Sequence, residues 1–183
     1  MQSVRGLYDG RMHIVVLGAG AIGSIYGARL STAHEVTLLT RAAHAEAINR
    51  DGLRVTGAEE RTYRVRAATL LDRVEPDTLI ILATKVSDSD AAVRSIAPLL
   101  RADTVILCVQ NGLYSEKVVK DIVGDRCLVL RAITHFGAIF QTPGVVELKV
   151  DRYTANRTRV TARDLRGDCR RIHVVPARRA RYR

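Results

Sequence analysis

Short apolar runs alternate with longer stretches of helical character along the first 130 residues. His13–Leu17 and Glu35–Thr40 predict two strands, and the segment between them, Ala21–Ser31, predicts a helix. A second helix is expected over Ala42–Arg50, stopped by Asp51-Gly52. Leu53–Thr56 and Tyr63–Ala67 are β-prone and flank Gly57-Ala58-Glu59-Glu60, which predicts a small antiparallel excursion on the sheet edge. Thr78–Ala83 and Thr104–Val109 are continuously apolar, the pattern of strands buried on both faces. Asp88–Leu100 reads as a helix with Ser87 or Asp88 as N-cap, and about Tyr114–Val123 as another. A strand follows at Arg126–Leu130; then come a strand, a Pro143-Gly144 turn and a returning strand between Arg131 and Val150. The alternation predicts an α/β fold of Rossmann type, a largely parallel sheet with helices on both faces.

The first strand runs directly into Gly18-Ala19-Gly20-Ala21-Ile22-Gly23, a G-x-G-x-x-G motif that opens a helix. Each glycine has a physical role in that context. Gly18 permits the tight turn, Gly20 leaves the backbone open to a pyrophosphate, and Gly23 allows the helix to pack on the strand. The amides of the helix start, at the positive end of its macrodipole, then face the phosphates. The expected ligand is a dinucleotide.

The end of the second strand bears on which one. A carboxylate there would accept hydrogen bonds from a ribose 2′-hydroxyl, but the residues are Thr40-Arg41. Arg41 can pair with a 2′-phosphate through its planar fork, or it is an ordinary surface cation starting the next helix. Its position and the missing carboxylate together favour NADP over NAD. Lys85 follows the Thr78–Ala83 strand, where ligands of open parallel sheets lie, and it can reach a cofactor phosphate or a substrate carboxylate, or stand solvated. Asn111 sits at the next strand end; it can bind the nicotinamide ribose or a substrate hydroxyl, or form an Asn-Gly turn tolerant of positive φ. His135 is a candidate catalytic acid or, as a lone His more often is, a hydrogen-bonded structural residue, and the second reading is favoured.

Composition narrows the class. Apolar residues make up 47% of the 183, enough for a core, while aromatics make up 4% with no Trp, which argues against a nucleic-acid stacking platform. No apolar run reaches membrane-spanning length, so no membrane partner is expected. Cys108, Cys127 and Cys169 are dispersed and form no metal-ligand spacing; they predict reduced thiols in a cytoplasmic protein and no metal site. The net charge of +10 is unevenly spread. Residues 151–183 carry 11 Arg and 3 Asp, leaving 18 basic and 16 acidic side chains in a nearly neutral body. Residues 1–11 read as a disordered leader, 12–150 as the NADP-binding domain, and 151–183 as an Arg-rich tail.

With these motifs placed, residues 12–150 resemble the N-terminal domain of the ketopantoate reductase (2-dehydropantoate 2-reductase) family. The resemblance rests on Ile14–Gly23, His34–Leu38, Arg41, Lys85, Gln110-Asn111-Gly112, Thr134-His135 and the Pro143–Val146 turn. It implies an NADP-dependent oxidoreductase that reduces a small 2-oxo acid, ketopantoate to pantoate, on the route to coenzyme A. It also implies that Gly18, Ala19, Gly20, Ala21, Ile22 and Gly23 cradle the pyrophosphate, that Arg41 holds the 2′-phosphate and that Lys85 contacts NADPH. Asn111 would touch both cofactor ribose and substrate, and the backbone near Gly137 would line the nicotinamide end.

The resemblance further implies a helical second domain that supplies a lysine general acid, and the sequence shows no such pattern after residue 150. The catalytic proton donor is therefore unassigned, and the expectation is a truncated cofactor-binding half whose exposed interdomain face promotes self-association. For the tail, three readings stand: a basic arm for nucleic acid or acidic partners, a solvated C-terminus, or out-of-frame translation of a GC-rich gene. The abrupt charge step near residue 150, and 25 Arg against 4 Lys, favour the last.

Overall fold

The computed structural model describes residues 10–111 and 115–151. The expectations for the leader up to residue 9, for Gly112 and for the tail beyond Asp151 lie outside these residues.

The apolar runs become strands: β1 (His13–Leu17), β2 (Glu35–Leu39), β3 (Leu53–Gly57), β4 (Arg61–Tyr63), β5 (Arg66–Ala68), β6 (Leu79–Leu82), β7 (Val105–Cys108), β8 (Leu128–Arg131), β9 (Phe136–Thr142) and β10 (Val145–Asp151). Between them lie α1 (Ala21–Leu30), α2 (Ala42–Asp51), α3 (Ser89–Ile96) and α4 (Ser115–Val123). Six strands form one parallel sheet in the order β5-β2-β1-β6-β7-β8. Strand order reverses at β1, so a crevice opens between the carboxyl ends of β1 and β6.

Side-chain alternation along the strands builds two cores, one on each sheet face. Ile14 and Val16 of β1 join Leu38, Ile81, Ile25 of α1 and Ile48 of α2 on one face. Val15 and Leu17 join Ile80, Leu82, Ile106, Val93 of α3 and Val119 of α4 on the other. Val16, Leu38, Ile80, Leu82 and Ile106 are completely buried, each such burial contributing about 1.5–3 kcal/mol.

The excursion after α2 is not an edge of this sheet. β3 and β4 are antiparallel, as expected, but they belong to a second, four-stranded sheet in the order β4-β3-β10-β9. β3 pairs in parallel with β10, from Arg54 opposite Val145 to Gly57 opposite Leu148. The stretch Tyr63–Ala67 is divided: Tyr63 stays in the small sheet, and the chain crosses at Arg64-Val65 to form β5 beside β2. The outer edge of β5 is covered by Asn49 of α2, whose Nδ2 donates to Ala67 O (2.8 Å) and whose Oδ1 accepts from Ala67 N–H (2.9 Å). The helix expected over Asp88–Leu100 is shorter, because Pro98 lacks an N–H and disfavours helical geometry before it; a 3₁₀ turn, Ala97–Leu99, replaces the last turn.

Residues from the small sheet, Leu53, Val55, Val146 and Leu148, share the core with Ile25 and Ala28, so α1 is packed from both sides. This explains its small residues. A Cβ on Gly23 would lie 2.6 Å from Gly18 O and 3.0 Å from Val16 Cγ1, and one on Gly27 would lie 2.1 Å from Leu38 Cδ2.

A buried polar chain ties the small sheet to the glycine turn. Gly144 N–H donates to His44 Nδ1 (2.8 Å), which fixes the proton of the neutral ring on Nε2. Nε2 lies 3.1 Å from Ser24 Oγ, and the Ser24 hydroxyl donates to Ala19 O (3.3 Å). Thr40 Oγ1 donates to the same carbonyl (3.1 Å), and the amides of Gly18 and Ala19 both donate to Leu39 O (3.1 and 2.9 Å). The turn is thereby held from β2, α1 and α2 together.

Two outcomes follow from this packing. Gly23→Ala should lower stability by about 1–3 kcal/mol in urea unfolding, because the atom it strikes is backbone and cannot rotate away; an unchanged midpoint would contradict the close approach. Burial lowers the His44 pKa from its ordinary value. The folded chain therefore holds the ring neutral, while the unfolded chain takes up a proton below about pH 6.5. Its stabilising contribution is complete above that pH and is lost as pH falls; His34, lowered by burial as well, acts in the same direction. The urea midpoint should fall less steeply with acid in His44→Gln than in the wild-type chain, and equal slopes would remove His44 from this role.

Candidate functional site

The carboxyl ends of β1, β2, β6 and β7 open into one cleft of about 1210 Å³. Its floor is the turn between β1 and α1. Gly18 has φ +92°, which favours glycine, and a Cβ there would come within 2.4 Å of Thr84 Cγ2 and 2.7 Å of Thr84 N. The first turn can thus press against the end of β6 only without a side chain. Gly20 differs: a Cβ on it would meet nothing within 4 Å, because that direction is the open cleft.

Gly20 is the N-cap of α1, no side chain caps the helix, and its first turn has no acidic residue. Ser24 N–H donates to Gly20 O (2.9 Å), so the amides of Ala21, Ile22 and Gly23 precede the helix's own ladder. An uncompensated helix N-terminus of this kind favours an anion. Gly18, Ala19, Gly20, Ala21 and Ile22 all line the cleft. Gly23 does not; it is turned into the strand, as its packing role requires.

Arg41 lies at one end, as the residue before α2, and Lys85 near the middle, before a 3₁₀ turn over Val86–Asp88. Both are exposed, both line the cleft, and neither is paired with an acidic side chain among the described residues. Asp88 is the one acidic residue along the cleft wall among those described, and it accepts from the Ser87 hydroxyl (2.9 Å). Asn111 lies at the other end, beyond β7. Arg41 and Asn111 follow strands three sheet positions apart, a lateral span of about 14 Å. Asp77 is the one non-glycine residue with positive φ among those described, so Asn111 is not in the left-handed conformation of the Asn-Gly turn alternative.

Gly137 stands beside the cleft rather than in its lining. It lies in β9 paired opposite Val150 and does not line the cleft. Its strand neighbour Phe136 and the more distant Phe140 do, the former packed 5.1 Å from Tyr26 and the latter edge-on to His44 at 4.7 Å between centroids. Tyr26 OH is 3.2 Å from Thr134 Oγ1, which donates to Val109 O (3.0 Å), so α1 also braces the Asn111 end. Burial raises the Tyr26 pKa, partly offset by the Thr134 hydrogen bond, and the phenol stays a neutral donor. His135 is exposed and is not among the cleft-lining residues.

Several residues that shape the cleft were given no role by the sequence. Buried Ser89 and Gln110 form a hydrogen-bonded cluster with half-buried Thr84 at the ends of β6 and β7: Gln110 Nε2 reaches Thr84 O (2.8 Å), Thr84 Oγ1 (3.0 Å) and Ser89 Oγ (2.6 Å). A polar residue immediately after a fully apolar run, as Gln110 is after Val109, was the available hint. His44 had another: it shares the buried face of α2 with Ala45, Ala47 and Ile48. Leu70, Leu71, Val86, Ala92 and Ile96 give the cleft an apolar stretch of wall. Among the described residues no group of His, Cys, Asp and Glu is placed to hold a metal, and no helix is long and apolar enough to cross a membrane.

Comparison with known proteins agrees with this geometry. Residues 14–156 match the family described as Ketopantoate reductase PanE/ApbA. A 2-dehydropantoate 2-reductase of Pyrococcus horikoshii is 41% identical over 137 residues, covering 74% of this chain and 44% of that protein. The crystal structure of 2-dehydropantoate 2-reductase from Porphyromonas gingivalis superposes with a TM-score of 0.68 at 28% identity, covering 78% of this chain and 53% of that one. The ternary structure of D-mandelate dehydrogenase with NADH and anilino(oxo)acetate superposes with a TM-score of 0.65 at 28% identity, covering 75% and 45%. The chain thus spans about half the length of the relatives it matches, and over that span it belongs to the ketopantoate reductase family.

Proposed function

We propose that residues 12–150 form the NADPH-binding half of a 2-oxo-acid reductase, with ketopantoate as the substrate. The observation that carries the choice of cofactor is the end of β2. Thr40 is bound to Ala19 O through its hydroxyl, Arg41 is exposed, and among the described residues no acid pairs with it and no carboxylate lines that part of the cleft. A 2′-phosphate meets a cation there and no repelling charge. The NADH named for D-mandelate dehydrogenase belongs to that protein; in this chain the donor set at β2 fits the phosphorylated ribose better.

The uncapped N-terminus of α1 and the open face of Gly20 suit the pyrophosphate. Lys85 adds a cation beside it, and Asn111 takes the nicotinamide ribose and the substrate hydroxyl. The apolar wall of Leu70, Leu71 and Ile96 suits the adenine. Bound NADPH supplies hydride to the carbonyl carbon, and the alkoxide oxygen so formed needs a proton. We assign that proton to a lysine of the family's second domain, because in this reading Lys85 is engaged by the cofactor. The cytoplasm is the proposed location; Cys108 and Cys127 are both free thiols, and burial first of all, with Glu116 adding, pushes Cys108 up to about 11, so it stays protonated and unreactive.

NADPH titration of the 183-residue chain should show saturable binding, and its absence would remove the cofactor assignment. Arg41→Ala should weaken NADPH at least about tenfold while leaving NADH nearly unchanged, since one charge-assisted pair contributes about 1.5–3 kcal/mol. Equal losses for both cofactors would exclude Arg41 as the 2′-phosphate partner. Ketopantoate turnover should appear when residues 12–150 are carried on one polypeptide with the family's second domain, and its absence there would remove the substrate assignment.

A further inference from the structure

Gln110 has a place in the fold that its neighbour Asn111 does not explain. Its side chain is buried, and its Nε2 donates across the gap between β7 and β6 to Thr84 O (2.8 Å) and Ser89 Oγ (2.6 Å), with Thr84 Oγ1 at 3.0 Å. The orientation of the amide is dictated, because reversing it would set its own oxygen against the Thr84 carbonyl. The consequence is that Gln110 Oε1 is buried with no partner among the described residues. A buried orphan acceptor destabilises the fold, so the residue is costly where it stands.

What the amide holds is the cofactor-facing backbone. Ser89 Oγ, accepting from Gln110, donates to Lys85 O (3.1 Å), and Asp88 N–H donates to the same carbonyl (3.0 Å). Thr84, fixed by two contacts to the amide, is the residue against which Gly18 packs without a Cβ. One carboxamide therefore connects the glycine turn, the Lys85 backbone and the strand end that bears Asn111.

We infer that Gln110 is a positioning residue: by clamping the Thr84 carbonyl and, through Ser89, the Lys85 carbonyl, it sets Lys85 in place for the dinucleotide. This rests on the NADPH reading above. It predicts that Gln110 acts through Lys85 and that the essential feature is an N–H or O–H aimed at the Thr84 carbonyl.

The test is NADPH affinity in the full 183-residue chain for the wild type, Lys85→Ala, Gln110→Leu and the double variant, with far-UV circular dichroism to confirm folding. Each single substitution should weaken NADPH about tenfold or more, a charge-assisted contact being lost in both. If Gln110 works through Lys85, the double variant should lie within about threefold of the weaker single. Losses that multiply would overturn the inference while leaving the cofactor site intact. No binding by the wild type would overturn the cofactor site and the inference together.

Gln110→Glu keeps shape and tests the hydrogen itself, should the leucine variant fail to fold. An ionised glutamate offers Thr84 no donor, whereas a protonated one restores it. Burial beside a carbonyl raises that carboxyl above the ordinary ~4.3. Relative to wild type at the same pH, NADPH affinity of Gln110→Glu should recover as pH falls from about 8 to about 5.5. A ratio that does not change with pH, in a folded protein, would show that the amide is a spacer and not a donor.

Discussion

The structure depends on the contact between the turn after β1 and the end of β6. Gly18 stands against Thr84 with no room for a Cβ, and Gly23 stands against the Gly18 carbonyl in the same way. These two approaches bring the N-terminus of α1 over the crevice where strand order reverses. Without them the helix would sit further from the sheet, and its orphan amides would not converge on the cleft with the ends of β2 and β7. Packing density, not a specific polar bond, is the first determinant of the site.

Polar chains then fix what packing leaves free. On one side Gly144, His44 and Ser24 lead to the Ala19 carbonyl; on the other Gln110 and Ser89 lead to the carbonyls of Thr84 and Lys85. Both run through buried side chains, where low dielectric strengthens a satisfied bond and penalises a broken one. The first chain begins in the small sheet, at the β9–β10 turn. That sheet is therefore more than a cover for α1: it contributes to the conformation of the glycine turn. The exposed cations Arg41 and Lys85 are different in kind. They carry charge toward the cleft and contribute little to the fold.

Much of the parallel sheet was legible in the chain. Strands buried on both faces are continuous in apolar residues, and their ends are marked by Gly18, Arg41, Lys85 and Asn111. The small sheet was only half legible. The local alternation at Leu53–Thr56 and the Pro143-Gly144 turn each announced a hairpin-like element, yet their union through β3 and β10 joins residues some ninety positions apart. Local pattern holds no record of such pairing. For the same reason the roles of His44 and Gln110 were not legible, although Gln110 stands in the Gln110-Asn111-Gly112 motif. Each is read as an ordinary helix or loop residue until its partners from distant segments surround it.

The sequence by itself determined the α/β class, the position of the glycine turn and which strand ends carry charge, because these depend on periodicity and on residue types within a few positions. It also set the absence of a carboxylate after β2. The tertiary structure alone decided that β3 belongs to a second sheet and that Gln110 and His44 brace the cleft from opposite sides. Those outcomes depend on which distant surfaces meet, and the free energy of such meetings comes from burial and from buried hydrogen bonds that no local window contains.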